Sequence, residues 1–145
     1  MAQSFITSAD AIFTLTIQPL FSAPITLENW GTDRAWEVSS YAATDSRMSI
    51  DGYLNKGFQH RPVEMSLTLE ANSPSNAVFE AIEEYQKAMT TVVILGGELR
   101  LPGLHRKYTF DDGHVIGMTP LPGGASMLEA RTYNLRWRRI IPAGI

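Results

Sequence analysis

The side chains able to do chemistry are few and scattered. His60, His105 and His114 are the three imidazoles, and cysteine is absent. Neither a disulfide nor a thiolate metal site can therefore form. A metal centre would have to combine His105, Asp111, Asp112 and His114. Asp111-Asp112-Gly113 is also the residue pattern of a hairpin turn, where Asp bonds its own backbone and glycine accepts a positive φ. Metal ligands must converge on one point, which a single hairpin tip rarely allows, so the turn is the preferred reading. Glu83-Glu84 could supply a general acid and base, but adjacent helical positions point apart, and a solvated helix face explains them. The run RWRR at 136–139 carries guanidinium groups that could hold phosphate and an indole that could stack on a base. At strand spacing, Trp137 falls on the core face and Arg136 and Arg138 on its reverse, which favours a protein interface or plain surface. No G-x-S-x-G elbow, phosphate-binding loop or dinucleotide fingerprint is present. Gly123-Gly124 has no helix after it and reads as a loop. No catalytic residue, metal or cofactor is expected, and an enzyme is the weakest of the classes considered.

The elements that hold these residues are mostly strands. Residues 11–21 place Ala11, Phe13, Leu15, Ile17 and Phe21 at every second position, a half-buried strand with Pro19 implying an edge or bulge. Residues 35–41 form a second strand with Trp36 and Val38 on one face, and 48–54 a weaker third. NKGFQHR at 55–61 reads as a loop, so 45–61 is a long, partly extended polar excursion. Residues 62–71 make the cleanest strand, with Val63, Met65, Leu67 and Leu69 facing one way and Glu64, Ser66, Thr68 and Glu70 the other. A helix at about 74–88 follows, with Ser73 as N-cap and Pro74 at its first position. Val78, Ile82, Tyr85 and Met89, supported by Phe79, give it an apolar stripe, and Glu83 and Lys87 an i,i+4 pair. Gly96-Gly97 and Asp111-Asp112-Gly113 then read as hairpin turns, between strands 91–95 and 98–101 and between 106–110 and 114–118. A loop at 120–126 leads to a last strand at 128–141. The expected architecture is mainly β, an antiparallel sandwich or barrel of about eight strands flanked by one helix, all in one domain over residues 1–145.

Composition narrows the function classes. At 145 residues, 44% apolar and 19% charged, the chain has the make-up of an ordinary globular domain. A net charge of −3 argues against a general nucleic-acid binder. The charge is nevertheless uneven: residues 1–98 hold twelve acids against five Lys/Arg, and 99–145 three acids against seven. Such a split can let copies attract one another, or be mixed on one folded surface. The opening MAQSFITSAD lacks the basic start and apolar run of a signal peptide. The longest purely apolar stretch, Val92 to Leu95, is too short to cross a bilayer. A soluble protein made in the cytoplasm, with no membrane partner, is the expectation.

One run adds a resemblance. MSIDGYLNKGFQHRPVEMSLTLEANSPSNAVFEAIEEYQ resembles the tail tube proteins of contractile-tailed bacteriophages and their baseplate tube-initiator relatives. The shared pieces are the polar loop with Asp51-Gly52, the alternating strand 62–71, and Ser73-Pro74-Ser75-Asn76 opening a single helix. The resemblance implies a β-barrel or sandwich flanked by that helix. It also implies six subunits closing their sheets into a ring, with rings stacking into an inner tube through which DNA is ejected without specific binding. Sheath, tape-measure and baseplate proteins would be the partners, and the virion tail, assembled in the host cytoplasm, the location. On that reading Asp51, Gly52, Asn55, Lys56 and Phe58 belong to an inter-ring assembly loop. Glu64, Ser66, Thr68 and Glu70 line the bore, and Arg136 and Arg138 meet a neighbouring subunit. A tube initiator, a tail-completion protein or a secretion or tailocin tube of the same fold stays open, as does a small-molecule-binding barrel, which would need an apolar pocket with a few inward polar groups.

Overall fold

The computed structural model describes residues 11–18, 20–31 and 35–145; the inference drawn from Pro19 lies outside them. Strands β1 (Ile12–Gln18), β2 (Ile25–Thr26), β3 (Trp36–Val38), β4 (Thr44–Met48), β5 (Leu54–Phe58) and β6 (Val63–Leu69) precede helix α1 (Asn76–Met89). Strands β7 (Ile94–Leu101), β8 (Arg106–Met118) and β9 (Arg131–Gly144) follow it. Seven strands form one sheet in the order β2-β1-β7-β8-β9-β6-β3, and β4 pairs with β5 apart from it. Every pairing is antiparallel. The fold is thus mainly β with a single α-helix among the described residues. The sheet ends on β2 and β3 and does not close into a barrel.

The alternation that marks β6 in the sequence is what buries it. Val63, Met65, Leu67 and Leu69 are buried, as are Phe13, Leu15 and Ile17 of β1 and Tyr133, Leu135 and Trp137 of β9. Each such side chain contributes about 1.5–3 kcal/mol by leaving water. Strands from both ends of the sheet share this one core because the sheet curls. Aromatic rings trace the curl: Trp36 to Trp30 at 5.8 Å, Trp30 to Phe13 at 5.9 Å, Phe13 to Phe110 at 5.2 Å, and Phe110 to Trp137 at 5.0 Å. Residues 27–31 carry the chain across the open side. Leu27 N–H donates to Phe13 O, Trp30 bridges to Leu69, and Gly31 N–H donates to Thr68 O.

Both glycine-rich runs read as turns lie inside continuous strands. Leu95 pairs with Gly113, and two residues later Gly97 pairs with Phe110, so β8 carries one extra residue there. This is a β-bulge, with Asp112 at φ 49°. A second shift separates Val115 from Gly117 against β9. Turns and bulges recruit the same residues, because both need a backbone that accepts positive φ. Gly113 has another reason to be glycine: a Cβ there would lie 2.2 Å from Cε3 of Trp137.

The helix begins at Asn76, two residues after the expected start, because both serines work elsewhere. Ser75 Oγ accepts from Glu28 N–H at 2.9 Å, and Ser73 Oγ donates to Glu28 O. The helix ends at Thr90, whose φ of 50° lets its N–H reach Gln86 O. Phe79 and Ile82 are buried, Val78 and Tyr85 are half-buried, and Met89, expected in the stripe, is exposed. Phe79 stacks on Tyr133 at 4.1 Å, and Tyr133 Oη donates to Asn76 Oδ1 at 2.7 Å. Asn76 Nδ2 in turn donates to Glu70 O and Ala71 O. Arg131, 2% exposed, completes the attachment of the helix to the sheet. Its guanidinium meets Glu80 at 2.5 Å and donates to Thr119 O and Pro120 O.

Candidate functional site

The polar excursion at 45–61 is a β-hairpin. Residues 48–54, expected as a strand, contain its turn, and most of the segment expected as a loop at 55–61 is strand β5. The misreading has a physical cause. Every residue of β4 and β5 is exposed, so no buried face imposes the alternation by which strands are recognised. The turn is self-bonded: Ser49 N–H donates to Tyr53 O, Ser49 Oγ donates to Asp51 Oδ1 at 2.6 Å, and Gly52 sits at φ 93°. Asp51 and Gly52 therefore lie at the tip, whereas Asn55, Lys56 and Phe58 lie on β5 opposite Arg47, Ser46 and Thr44. Sequence reasoning missed the apolar side chains left in water here. Met48, Ile50, Tyr53, Leu54 and Phe58 are all exposed, Ile50 fully. Their alternation was too irregular to mark a face, but their number in a polar stretch was the available signal.

The second candidate surface is the polar face of the main sheet. Glu64, Ser66 and Thr68 lie directly opposite Arg136, Asn134 and Thr132 of β9, and Glu37 of β3 is opposite Ser66 on the other side. A shallow depression of about 330 Å³ runs over this face between β3 and Ile116. Glu70 is not part of the strand. It lies one residue past β6, in the turn leading to the helix, with its carbonyl holding Ser73 and Asn76.

Two of the expected site residues meet within one chain. Arg136 donates to Glu64 at 2.6 Å, so the arginine expected at a neighbouring subunit already has a carboxylate, and the acid expected in a bore already has a cation. Arg138 reaches Asp111 at 3.6 Å and Arg139 reaches the same oxygen at 3.4 Å. Strand alternation stops after Trp137, leaving Arg138 and Arg139 both exposed.

The histidine and aspartate set does not converge. Asp111 serves the arginines, Asp112 occupies the bulge, His114 lies opposite Arg136, and His105 sits at φ 54° beyond a single 3-10 turn. Among the described residues no group of three or more His, Cys, Asp or Glu is placed to hold a metal. Burial pushes the Tyr133 hydroxyl up to about 12, with Arg131 opposing and Glu80 adding to the shift. The expected Glu83–Lys87 pair forms at 3.0 Å on the exposed helix face. The hydrogen bond that the Lys87 ammonium donates to the Glu83 carboxylate is the main cause holding it above its ordinary range.

A curled antiparallel sheet with one helix across it and one hairpin free of it is a fold found in contractile injection systems. The chain matches a component of the anti-feeding prophage baseplate at TM-score 0.61 and 11% identity, over 99% of this chain and 98% of that one. It matches a chain of the sheath–tube complex of the extracellular contractile injection system PVC, extended state, at TM-score 0.66 and 15% identity, over 97% and 92%. A chain of the anti-feeding prophage tube-terminating cap matches at TM-score 0.63 and 14% identity, over 100% and 95%. At these identities the likeness is one of fold. Comparison with curated proteins finds no match. Family membership comes from sequence: the model of the family described as tail fiber protein gp32 matches residues 4–141, and the chain belongs to that family. It is a tail-associated structural protein of a phage-like particle.

Proposed function

We propose that the chain is a ring-forming subunit of the inner tube of a contractile tail, with six copies to a ring and rings stacked into the conduit for DNA. The observation that carries this reading is the β4–β5 hairpin. It pairs only with itself and displays apolar side chains along its length, an arrangement that suits burial against another subunit. The polar sheet face is the second support, as a wall for the bore. DNA carries about one charge per 1.7 Å of axis, so a conduit must avoid holding it. With Glu64 matched by Arg136, this wall repels DNA less by net charge than expected from its acids alone. Ser66, Thr68, Thr132 and Asn134 instead keep it hydrated and without an excess of cations.

Size-exclusion chromatography with negative-stain microscopy tests the reading, with stacked rings expected from the intact chain. Replacing residues 44–58 by a short Gly-Ser linker should leave a folded protein that no longer polymerises. Normal tubes from that variant would sink the role given to the hairpin. A second reading is a ring at one end of the tube, favoured by the fold shared with baseplate and cap components. It predicts rings that do not stack.

A further inference from the structure

A groove of about 630 Å³ opens at the root of the hairpin, lined by Tyr41, Phe58, His60, Arg61, Arg138 and Arg139. Phe58 is 69% exposed and stands edge-on to His60 at 4.8 Å. Arg61 bonds Gln59, while Arg138 and Arg139 share the carboxylate of Asp111. Among the described residues, three guanidinium groups thus border a partly aromatic floor with one carboxylate to match them. The far end of the same hairpin has the complementary character. Ile50 and Tyr53 are exposed there, and Asp51 accepts from Ser49 through Oδ1 alone, leaving Oδ2 free. We infer that the hairpin tip of one copy seats in the root groove of another, with Ile50 and Tyr53 on the aromatic floor and Asp51 against the arginines.

A tip seated in this groove has to come from a second copy. At about 3.3 Å per residue, a five-residue strand holds tip and root of one hairpin roughly 16 Å apart. Arginine suits both parts of the seat, since it binds carboxylates in paired hydrogen bonds and packs flat on aromatic faces. A tip-to-root contact joins two different patches, so it propagates head to tail and closes into a ring or runs on as a filament. The uneven charge of the chain follows the same division, because Asp51 belongs to its acidic part and Arg138 and Arg139 to its basic part. This inference rests on the ring-forming reading in that it needs copies of the chain to associate.

The absence of cysteine makes the test clean. A chain carrying Asp51→Cys and Arg138→Cys should, on mild oxidation of assembled protein, give a ladder of cross-linked oligomers on a non-reducing gel, and neither single variant should. Tip and root of one chain are too far apart to cross-link, since a disulfide needs Cα atoms within about 7 Å. Asp51→Arg alone, or Arg138→Glu with Arg139→Glu, should lose the rings; all three together should restore them. Circular dichroism checks that each variant is folded. If the wild-type chain assembles but the double-cysteine chain gives no ladder, or the triple variant stays monomeric, the seat is wrong. A monomeric wild-type chain would instead overturn the ring-forming reading and the seat with it.

Discussion

Gly113→Ala separates two opposed effects of the same substitution. The φ of Gly113 is not in the left-handed region, so alanine there limits the unfolded chain and should stabilise by about 0.4–1 kcal/mol. Against this, the new Cβ would lie 2.2 Å from Cε3, 2.5 Å from Cζ3 and 2.8 Å from Cδ2 of Trp137. Carbon atoms pack best at about 3.5–4 Å, so the indole must retreat by more than 1 Å. It has little room, being wholly buried with Phe110 at 5.0 Å. Overpacking of a core costs about 1–3 kcal/mol, and a rigid bicyclic ring hit near the middle belongs at the upper end. The expected net loss is about 2 kcal/mol, or roughly 4–8 °C in Tm for a domain of this size. Gly117→Ala is the control on the same strand, with nothing within 4 Å of its added methyl. It should be neutral or stabilising. Urea unfolding followed by tryptophan fluorescence, at concentrations too low for assembly, reads both. Equal stability of the two variants would refute the placement of Trp137 over Gly113.

Tyr133→Phe leaves Asn76 Oδ1 without its donor and should cost about 1–3 kcal/mol in urea unfolding. Because the Tyr133 hydroxyl is raised to about 12, the folded state favours the neutral phenol. That stability is complete below the unfolded value near 10 and drains as pH rises from 10 to 12, a loss the Phe variant should lack at this site. Arg131→Met deletes the link to Glu80 and the donors to Thr119 O and Pro120 O, with a cost of about 2 kcal/mol. Hydrogen exchange should then quicken over 119–130; unchanged exchange would mean that the loop is held by other contacts. The Glu64–Arg136 pair is about half exposed, so a double-mutant cycle should return a coupling of no more than about 1 kcal/mol. A large fall in Tm for Arg136→Ala with normal assembly would make that arginine a strut of the fold instead.

What could be read in the residue order is what local physics decides. β6 and α1 were legible because one buried face imposes a period of two or of 3.6, and each period survives without knowledge of any partner. The turns at 96–97 and 111–113 were misread because glycine and positive-φ aspartate announce a local backbone need, not whether the chain reverses. Only the register, with Leu95 opposite Gly113, shows that the two runs meet at one bulge. The hairpin at 44–58 escaped for the opposite reason, having no buried face to write a pattern. The Glu64–Arg136 pair was out of reach as well, since its partners are 72 residues apart and meet only through the pairing of β6 with β9.

The position of β9 has a consequence for synthesis. It is the fifth strand of seven, yet it follows all the others in the chain. By strand pairing, β6 and β3 join the remaining strands of the sheet through β9. Until residues 131–144 leave the ribosome, the paired strands fall into two groups, β2-β1-β7-β8 and β3-β6, each with an unpaired edge where β9 belongs and with the 27–31 crossing between them. Such non-local pairing forms slowly, and open edges invite association with the wrong chain. A product interrupted before β9 therefore cannot complete the sheet that supports the hairpin. Premature stops would then yield chains for chaperones and proteases to remove, not defective parts built into a particle.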